Sequence, residues 1–227
     1  MLRLKTEALL DTKNTMARDI FDRKEYPFEV LSEIGEFIKM LSLTLDREKF
    51  DDLGEGVFVA KSAKIASSAS IAGPCIIDEG AEIRHCAFIR GNAIVGKGAV
   101  VGNSTELKNV ILFDKVQVPH YNYVGDSILG YKSHMGAGAV TSNVKSDKTN
   151  VSVTLDGKKY NTNLKKFGAI LGDCVEVGCG TVLNPGTVVG KNTNIYPLSM
   201  VRGYVAENSI YKNRGEIVEK VWKNGIF

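Results

Sequence analysis

The sequence has few of the features that most directly assign a function. It contains one tryptophan and three histidines among 227 residues, and its formal net charge is only +3. So small a charge does not favour nucleic acid or a membrane surface as a partner, and no zinc-finger, RNP or basic-helix pattern occurs. No run of about 18 apolar residues is present, so no bilayer span is predicted.

The cysteines and the amino terminus favour a cytoplasmic protein. None of the four cysteines forms a Cys-x-x-Cys pair, and we interpret them as buried, reduced thiols rather than as disulfides or metal ligands. The first fifteen residues, MLRLKTEALLDTKNT, include acidic side chains and lack a long apolar core. A signal peptide is therefore not expected.

Aliphatic residues recur at every sixth position through much of the chain. One run comprises Ile65, Ile71, Ile77, Ile83, Ile89, Val95, Val101 and Leu107, and a second comprises Leu171, Val177, Leu183, Val189, Ile195 and Val201. A period of six fits neither an α-helix nor a heptad. It is the length of a short strand plus a corner, and three such units close one triangular coil. The pattern predicts a mainly β protein, a parallel β-solenoid filled by these side chains.

We divide the chain into three parts. Residues 1–55 form a helical cap or appendage, because PFEVLSEIGEFIKML places apolar side chains on one helical stripe. Residues 56–206 form the solenoid, which is interrupted at 144–168, where VSVTLDGKKYNT has the alternation and Asp-Gly pair of a hairpin. Residues 207–227 form a tail that covers the second open end.

Two cations are spaced by one full coil. Lys108 follows Arg90 by three of the six-residue units, and each of the two follows an interior aliphatic residue. They should stack in adjacent coils, about 5 Å apart. A phosphate between them would relieve their repulsion, although two solvated surface cations would show the same spacing.

The period slips beside a histidine. Pro119 and Leu129 are ten residues apart where two repeats need twelve. His120 lies at this break and is a candidate for acid–base chemistry. The following Gly136 and Gly138 would let backbone N–H groups approach a ligand closely.

These segments resemble a known family of enzymes. VGNSTELKN, VPHYNYVGDSILG, HMGAGAVTSN and KKFGAILGDCVEVG are similar to the acetyltransferase domain of the bacterial bifunctional glucosamine-1-phosphate acetyltransferase/N-acetylglucosamine-1-phosphate uridyltransferase, and to the corresponding half of archaeal sugar-1-phosphate nucleotidyltransferases. The resemblance covers roughly residues 65–204. It implies a left-handed hexapeptide-repeat solenoid, a cytoplasmic homotrimer with active sites between subunits, and acetyl-coenzyme A as co-substrate.

The resemblance also implies site residues at matching positions. Its catalytic residues are His120 as general base and Asn143 at the reaction centre. Its substrate-binding residues are Arg90, Lys108, Tyr123, Lys166 and His134, the last replacing an asparagine that contacts the amino sugar. Its residues at the coenzyme are Ala137 and Cys179, the latter in place of a serine. No metal is implied.

The leading hypothesis is an acetyl-coenzyme A-dependent N-acetyltransferase that acts on an amino-sugar 1-phosphate in nucleotide-sugar biosynthesis. Backbone N–H groups near Gly136 and Ala137, together with Asn143, would stabilise the oxyanion. One alternative is a stand-alone relative without a nucleotidyltransferase domain that only binds sugar nucleotides or serves as a scaffold. Another is a zinc enzyme resembling the γ-type carbonic anhydrases, for which the chain offers only His85, His120 and His134.

Overall fold

The computed structural model describes residues 2–212 and 216–220. Four 3₁₀ helices and two α-helices come first, in the order η1 (Leu2–Leu4), α1 (Thr6–Leu9), η2 (Thr12–Asn14), η3 (Arg18–Phe21), η4 (Pro27–Ser32) and α2 (Ile34–Ser42). The single helix expected after Pro27 is thus a 3₁₀ helix followed by an α-helix, with Glu33 (φ −108°, ψ −9°) between them. No helix in this described part of the chain is long and apolar enough to cross a bilayer.

Short strands make up almost all of the remainder. They are β1 (Phe50–Asp52), β2 (Val57–Ala60), β3 (Lys64–Ile65), β4 (Ser70–Ile71), β5 (Cys75–Ile77), β6 (Glu82–Ile83), β7 (Phe88–Ile89), β8 (Ala93–Val95), β9 (Val100–Asn103), β10 (Glu106–Leu112), β11 (Gln117–His120), β12 (Tyr123–Leu129), β13 (His134–Met135), β14 (Val140–Thr141), β15 (Ser152–Leu155), β16 (Lys158–Asn161), β17 (Ala169–Leu171), β18 (Glu176–Val177), β19 (Val182–Leu183), β20 (Thr187–Val189), β21 (Asn194–Ile195), β22 (Met200–Val201), β23 (Tyr204–Val205), β24 (Ser209–Tyr211) and β25 (Ile217–Glu219).

The strands stack in parallel into a solenoid of about nine turns with three faces, which confirms the predicted fold class. Face one contains β2, β5, β8, β17, β20, β23 and the second halves of β10 and β12. Face two contains β4, β7, β14, β19, β22 and the first halves of β10 and β12. Face three contains β3, β6, β9, β11, β13, β18, β21 and β24.

The interior is filled by the predicted aliphatic side chains. From Ile77 to Leu107, and again from Leu171 to Val201, the residues at intervals of six are at most 3% exposed. Ile65 is 36% exposed because it belongs to the first coil, which has no coil below it. Removing this column of side chains from water is the main source of the solenoid's stability.

The register slips at two corners, one before the predicted interval and one inside it. Leu107 pairs with Ile89 and Val110 pairs with Ala93, so a step of four positions in one coil is matched by a step of three in the next. One residue is therefore missing between Leu107 and Val110. The next coil keeps this shorter corner, because Leu107 pairs with Val124 and Val110 with residue 127.

Both short corners contain a left-handed residue. Asn109 has φ of 55° and Asp126 has φ of 48°, a conformation that Asn and Asp tolerate better than other side chains. Because one residue is missing, β10 and β12 continue through the corner instead of stopping at it. The expected break between Pro119 and Leu129 is in fact at Asp126, beyond His120 in the same coil.

The helical segment runs along face one. α2 packs on β5, β8 and β10, and η4 packs on β12. Backbone hydrogen bonds join it to widely separated coils, from the Asp173 N–H to the Leu9 carbonyl (3.0 Å) and from the Asp114 N–H to the Asn14 carbonyl (3.0 Å). The segment therefore covers face one, and among residues 2–212 and 216–220 it is faces two and three that it leaves uncovered.

Antiparallel strands close both ends of the stack. β1 pairs with β2 at the first coil, and β25 pairs with β24 at the last, so neither sheet ends in a free parallel edge at these places. Residues 213–215 and 221–227 of the predicted tail lie outside the described residues. Between β14 and β17 the chain forms the β15–β16 hairpin, whose turn has Asp156 and Gly157 at positive φ.

Candidate active site

The corner between faces two and one holds two cations, and each is paired with a carboxylate. Arg90 Nη1 lies 2.7 Å from Glu106 Oε1, and this hydrogen bond raises the pKa of the guanidinium. Lys108 Nζ lies 3.3 and 3.4 Å from the two carboxylate oxygens of Asp126. Because Leu107 pairs with Ile89, the two cations that follow them lie in adjacent coils, and a protein acid accompanies each one.

Asp126 is the centre of this corner. Its side chain is only 7% exposed, and its two oxygens accept hydrogen bonds from Asn109 Nδ2 (3.0 Å) and Asn143 Nδ2 (2.5 Å). The three residues follow one another at equal intervals of 17, one in each successive coil. We call them the Asn109–Asp126–Asn143 ladder, and we call Arg90, Lys108 and the ladder the cation corner.

Tyr123 lies beside the ladder at the start of β12. Its hydroxyl accepts a hydrogen bond from Asn143 Nδ2 (3.3 Å), and its ring lies over Gly125, where a Cβ would be 2.5 Å from the hydroxyl oxygen. Burial raises the pKa of Tyr123, and the negative charge of Asp126 raises it further. The phenol therefore stays protonated at neutral pH and can donate to a ligand on face two.

The insertion returns to the cation corner. Phe167 donates its N–H to the Asn143 carbonyl (2.9 Å), and Gly168 donates to the Asp126 carbonyl (2.8 Å). Lys166 is the preceding residue and is exposed. Lys166, the third predicted cation, is thus the neighbour in sequence of a residue whose backbone bonds Asn143.

The corner between faces three and two carries His120, which is exposed. Asn122, only 2% exposed, lies beneath it. The Asn122 side chain accepts from the His120 N–H (3.1 Å) and donates to the carbonyls of Gly136 (2.8 Å) and Ala139 (3.0 Å). This buried amide fixes the backbone of His120 against the next coil, and so fixes the point from which the imidazole side chain extends.

Ala137 and Cys179 continue the same corner through the following coils, and with His120 they form what we call the histidine corner. Gly138 donates its N–H to the His120 carbonyl (2.9 Å), and Gly180 donates to the Ala137 carbonyl (2.9 Å). All three side chains of the histidine corner are exposed. The predicted coenzyme positions therefore stack directly after the predicted base.

Two expected features of this corner need correction. Gly136 does not serve a ligand, because a Cβ there would be 2.7 Å from the Cys179 nitrogen, and the missing side chain lets the coils stack. Its N–H already donates to the Val177 carbonyl (2.7 Å). Since Gly138 is also engaged, the Ala137 N–H is the remaining candidate donor to an oxyanion.

His134 is separated from the other predicted substrate residues. It lies on face three, and its Nδ1 is 2.8 Å from Glu176 Oε2. A cavity of about 380 Å³ beside this pair is lined by Lys115, Gln117, Lys132, His134 and Glu176. His85 bonds Ser68 Oγ (2.7 Å) at a lower coil, so the three histidines do not meet within one chain.

Face two connects the two corners. Gly125, the partner of Lys108 in the next coil, is the fifth residue after His120. The segment between them spans at most about 17 Å, and Tyr123 lies within it. A small ligand with an anionic group at one end could therefore contact the cation corner and the histidine corner together.

Sequence reasoning missed Asp126, Glu106 and Asn122. Asp126 could have been found, because it follows Lys108 by 18 residues, the same interval that separates Lys108 from Arg90. The residues of the ladder are 17 apart, one fewer than three six-residue repeats, and this interval does not predict a contact until the short corners are known. No sequence signal distinguishes Asn122 from an ordinary polar corner residue.

These features define a class of protein, a hexapeptide-repeat solenoid with a cation corner and a histidine corner on either side of one uncovered face. The family model described as the GMPPB C-terminal domain matches residues 71–206, and the chain belongs to that family. The match covers most of the solenoid and includes every predicted site residue.

Curated relatives confirm the resemblance found in the motifs. The bifunctional protein GlmU of Methanococcus maripaludis is 35% identical over 117 residues, which are 52% of this chain and 28% of that protein. The bifunctional sugar-1-phosphate nucleotidylyltransferase/acetyltransferase of Sulfurisphaera tokodaii is 32% identical over 111 residues, or 49% of this chain and 28% of that protein. The matched part is thus little more than a quarter of each relative.

Solved structures match with lower similarity. A mutant of AntD, an N-acyltransferase from Bacillus cereus, was solved with dTDP and coenzyme A. The match covers 75% of this chain and 90% of that one, at 16% identity and a TM-score of 0.37.

Proposed function

We propose that the protein transfers an acetyl group from acetyl-coenzyme A to the amine of an amino-sugar 1-phosphate. The observation that carries this proposal is the placement of the cation corner and the histidine corner at the two sides of face two. The sugar phosphate would lie on Arg90, Lys108 and Lys166, with its ring against Tyr123. Relatives whose names include acetyltransferase activity support the same reaction.

The chemistry follows from the groups at the histidine corner. His120, whose side chain bonds no described residue, takes a proton from the substrate amine. The amine nitrogen attacks the thioester carbonyl, and the Ala137 N–H stabilises the oxyanion. Collapse of this intermediate breaks the carbon–sulfur bond and releases coenzyme A, whose sulfur receives a proton. Ala137 and Cys179 would border the coenzyme.

The uncovered faces support a homotrimer. The helical segment occupies face one, and faces two and three share the histidine corner. A closed three-fold ring would pack face two of one copy against face three of the next, which would bring His134 of that copy toward Tyr123. Exposed apolar residues on face two, such as Phe88 (43%) and Met200 (69%), would be buried there.

The compartment follows from the co-substrate and the thiols. All four cysteines are unpaired, as expected in a reducing compartment that also supplies acetyl-coenzyme A. We therefore place the reaction in the cytoplasm, where the product would enter nucleotide-sugar synthesis.

A thiol-release assay with acetyl-coenzyme A tests the reaction. Glucosamine 1-phosphate and related amino-sugar 1-phosphates should release coenzyme A, and free glucosamine should be a far poorer substrate. His120→Ala should lower kcat about 10²–10⁴-fold, since general-base catalysis typically contributes that much. His85→Ala, an exposed histidine at the same corner of an earlier coil, is the matched control and should have no effect. A His120→Ala enzyme within threefold of wild type would refute the assignment, and ligand binding without turnover would favour the scaffold alternative.

A further inference from the structure

The Asn143 amide has a chemically fixed orientation. An ionised carboxylate only accepts hydrogen bonds, so the atom of Asn143 that faces Asp126 must be the nitrogen. The same nitrogen also donates to the Tyr123 hydroxyl, so both N–H bonds of the Asn143 amide are used. Oδ1 accepts no hydrogen bond from any described residue and is not sealed from solvent. Asn143 therefore offers the site an acceptor.

This orientation does not suit an oxyanion. An oxyanion needs a donor, whereas an amine or ammonium group needs an acceptor beside it. An Asn143 Oδ1 that accepts an N–H of the substrate amine would aim the nitrogen lone pair away from itself. The geometry thus separates two tasks, with Ala137 as the donor to the oxyanion and Asn143 as the acceptor for the amine.

We infer that Asp126 is a positioning residue that holds the Asn143 amide with its carbonyl oxygen toward the substrate amine. This inference rests on the proposed function. Asp126 can do this because its Oδ2 accepts a hydrogen bond from Asn143 Nδ2, while Asn109 Nδ2 donates to its Oδ1. Its own contact with the substrate is not required.

The two partners of Asp126 should respond differently when its charge is removed. In Asp126→Asn the new amide presents a donor to one of the two flanking amides, and Asn143 can then turn its nitrogen toward the site. Lys108, no longer neutralised, keeps its affinity for phosphate. We expect kcat to fall about tenfold or more, the effect of one charge-assisted hydrogen bond, while KM for the sugar phosphate does not rise.

Asp173→Asn is the matched control for loss of a buried carboxylate. Asp173 is 7% exposed and pairs with Lys191 Nζ at 3.1 Å, but it belongs to a different corner of the coil. Its substitution should lower the melting temperature and leave kcat unchanged. If Asp126→Asn behaves in the same way, its role is structural only and the inference fails.

Exchanging the two side chains decides which group of Asn143 acts. In Asp126→Asn/Asn143→Asp the hydrogen bond is restored with donor and acceptor reversed, and position 143 still offers an acceptor to the substrate. The double variant should recover most of the kcat lost in Asp126→Asn. A double variant as slow as Asn143→Asp alone would mean that a donor is needed there. Should the double variant not fold, the kcat and KM values of Asp126→Asn decide.

A readout without turnover separates this inference from the proposed function. If the wild-type protein transfers no acetyl group to any amino-sugar phosphate, the proposed function fails. The amide orientation is still measurable by NMR as slow exchange of the Asn143 Nδ2 protons. That protection should be present in the wild-type protein and in Asp173→Asn, and lost in Asp126→Asn. Rapid exchange in the wild-type protein would overturn the inference.

Discussion

Lys108→Met should separate substrate binding from coenzyme binding. Lys108 Nζ is 3.3 and 3.4 Å from the Asp126 oxygens, longer than the roughly 2.7–2.9 Å of a strong charge-assisted hydrogen bond. The ammonium is therefore loosely held and can turn to a phosphate at small cost. Methionine keeps most of the apolar stem, which is packed so that the side chain is only 28% exposed, and removes the charge.

The size of the effect follows from the lost contact. A hydrogen bond to a charged group contributes about 1.5–3 kcal/mol, which corresponds to a rise of roughly tenfold to a hundredfold in KM for the sugar phosphate. Asp126 would lose its cation but keep Asn109 and Asn143 as donors. Some loss of thermal stability is therefore expected, and the folded state must be checked by circular dichroism before the kinetics.

Initial rates of thiol release at varied concentrations of each substrate provide the measurement. KM for acetyl-coenzyme A should change less than twofold. Arg202→Ala is the control, because Arg202 lies at the same corner of a later coil and bonds Asn184 Oδ1 (3.2 Å) rather than a site residue. A KM for the sugar phosphate within twofold of wild type would refute the phosphate assignment, as would an equal rise in both KM values.

Two further predictions concern groups outside the site. Burial raises the pKa of the Asp78 carboxyl in the folded state, and the negative charge of Asp114 raises it further. As the pH rises, Asp78 therefore loses its proton first in the unfolded chain, and the free energy of unfolding falls above the unfolded-state pKa near 3.8. Asp78→Asn should raise the melting temperature at pH 7 but not at pH 3, and an equal gain at both would contradict this. Burial also raises the pKa of the Cys75 thiol to about 12, so a disulfide reagent at pH 8 should label the exposed Cys179 and reach Cys75 only after denaturation. Equal labelling rates located by mass spectrometry would be the contrary result.

The solenoid could be predicted because one physical constraint repeats along the sequence. Each coil must place an aliphatic side chain inside each strand, and any change of phase would expose it. Where several apolar residues are adjacent in the sequence, the pattern no longer predicts which of them points into the interior. In VILF, from Val110 to Phe113, counting by six selects Phe113, but the structure puts Leu112 in line with Val95. Phe113 is instead buried against Phe21, with ring centroids 5.7 Å apart.

The thiols show the same limit on inference from composition. We expected all four cysteines to be buried, but Cys86 and Cys179 are exposed. Cys86 has φ of 56° and occupies a corner, and Cys179 belongs to the histidine corner. A sequence pattern identifies which residues point inward along a strand, whereas exposure at a corner depends on what packs against it from outside.

The sequence predicted candidate residues for the site but not the contacts between them. The cations and the histidine stand out by type and spacing, and the resemblance supplied the remaining residues. Carboxylate partners could not be inferred, because Glu106 is 16 residues from Arg90, and Asp126 meets Asn109 across a coil of 17 residues where the six-residue repeats predict 18. The first contact runs diagonally between coils, and the interval of the second depends on where a corner is shortened.

The shortened corners therefore explain the rigid contacts of the candidate site. In the preceding coil the step from Ile89 to Ala93 contains Arg90, Gly91 and Asn92, and the strand stops there. In the next two coils the same step contains only two residues, and the strand continues through the corner. A continuous strand is held by backbone hydrogen bonds on both sides, so Lys108 and Asp126 cannot drift as residues of a loop would. The loss of one residue per coil places a rigid carboxylate between two amides at the point where the proposed substrate needs fixed partners.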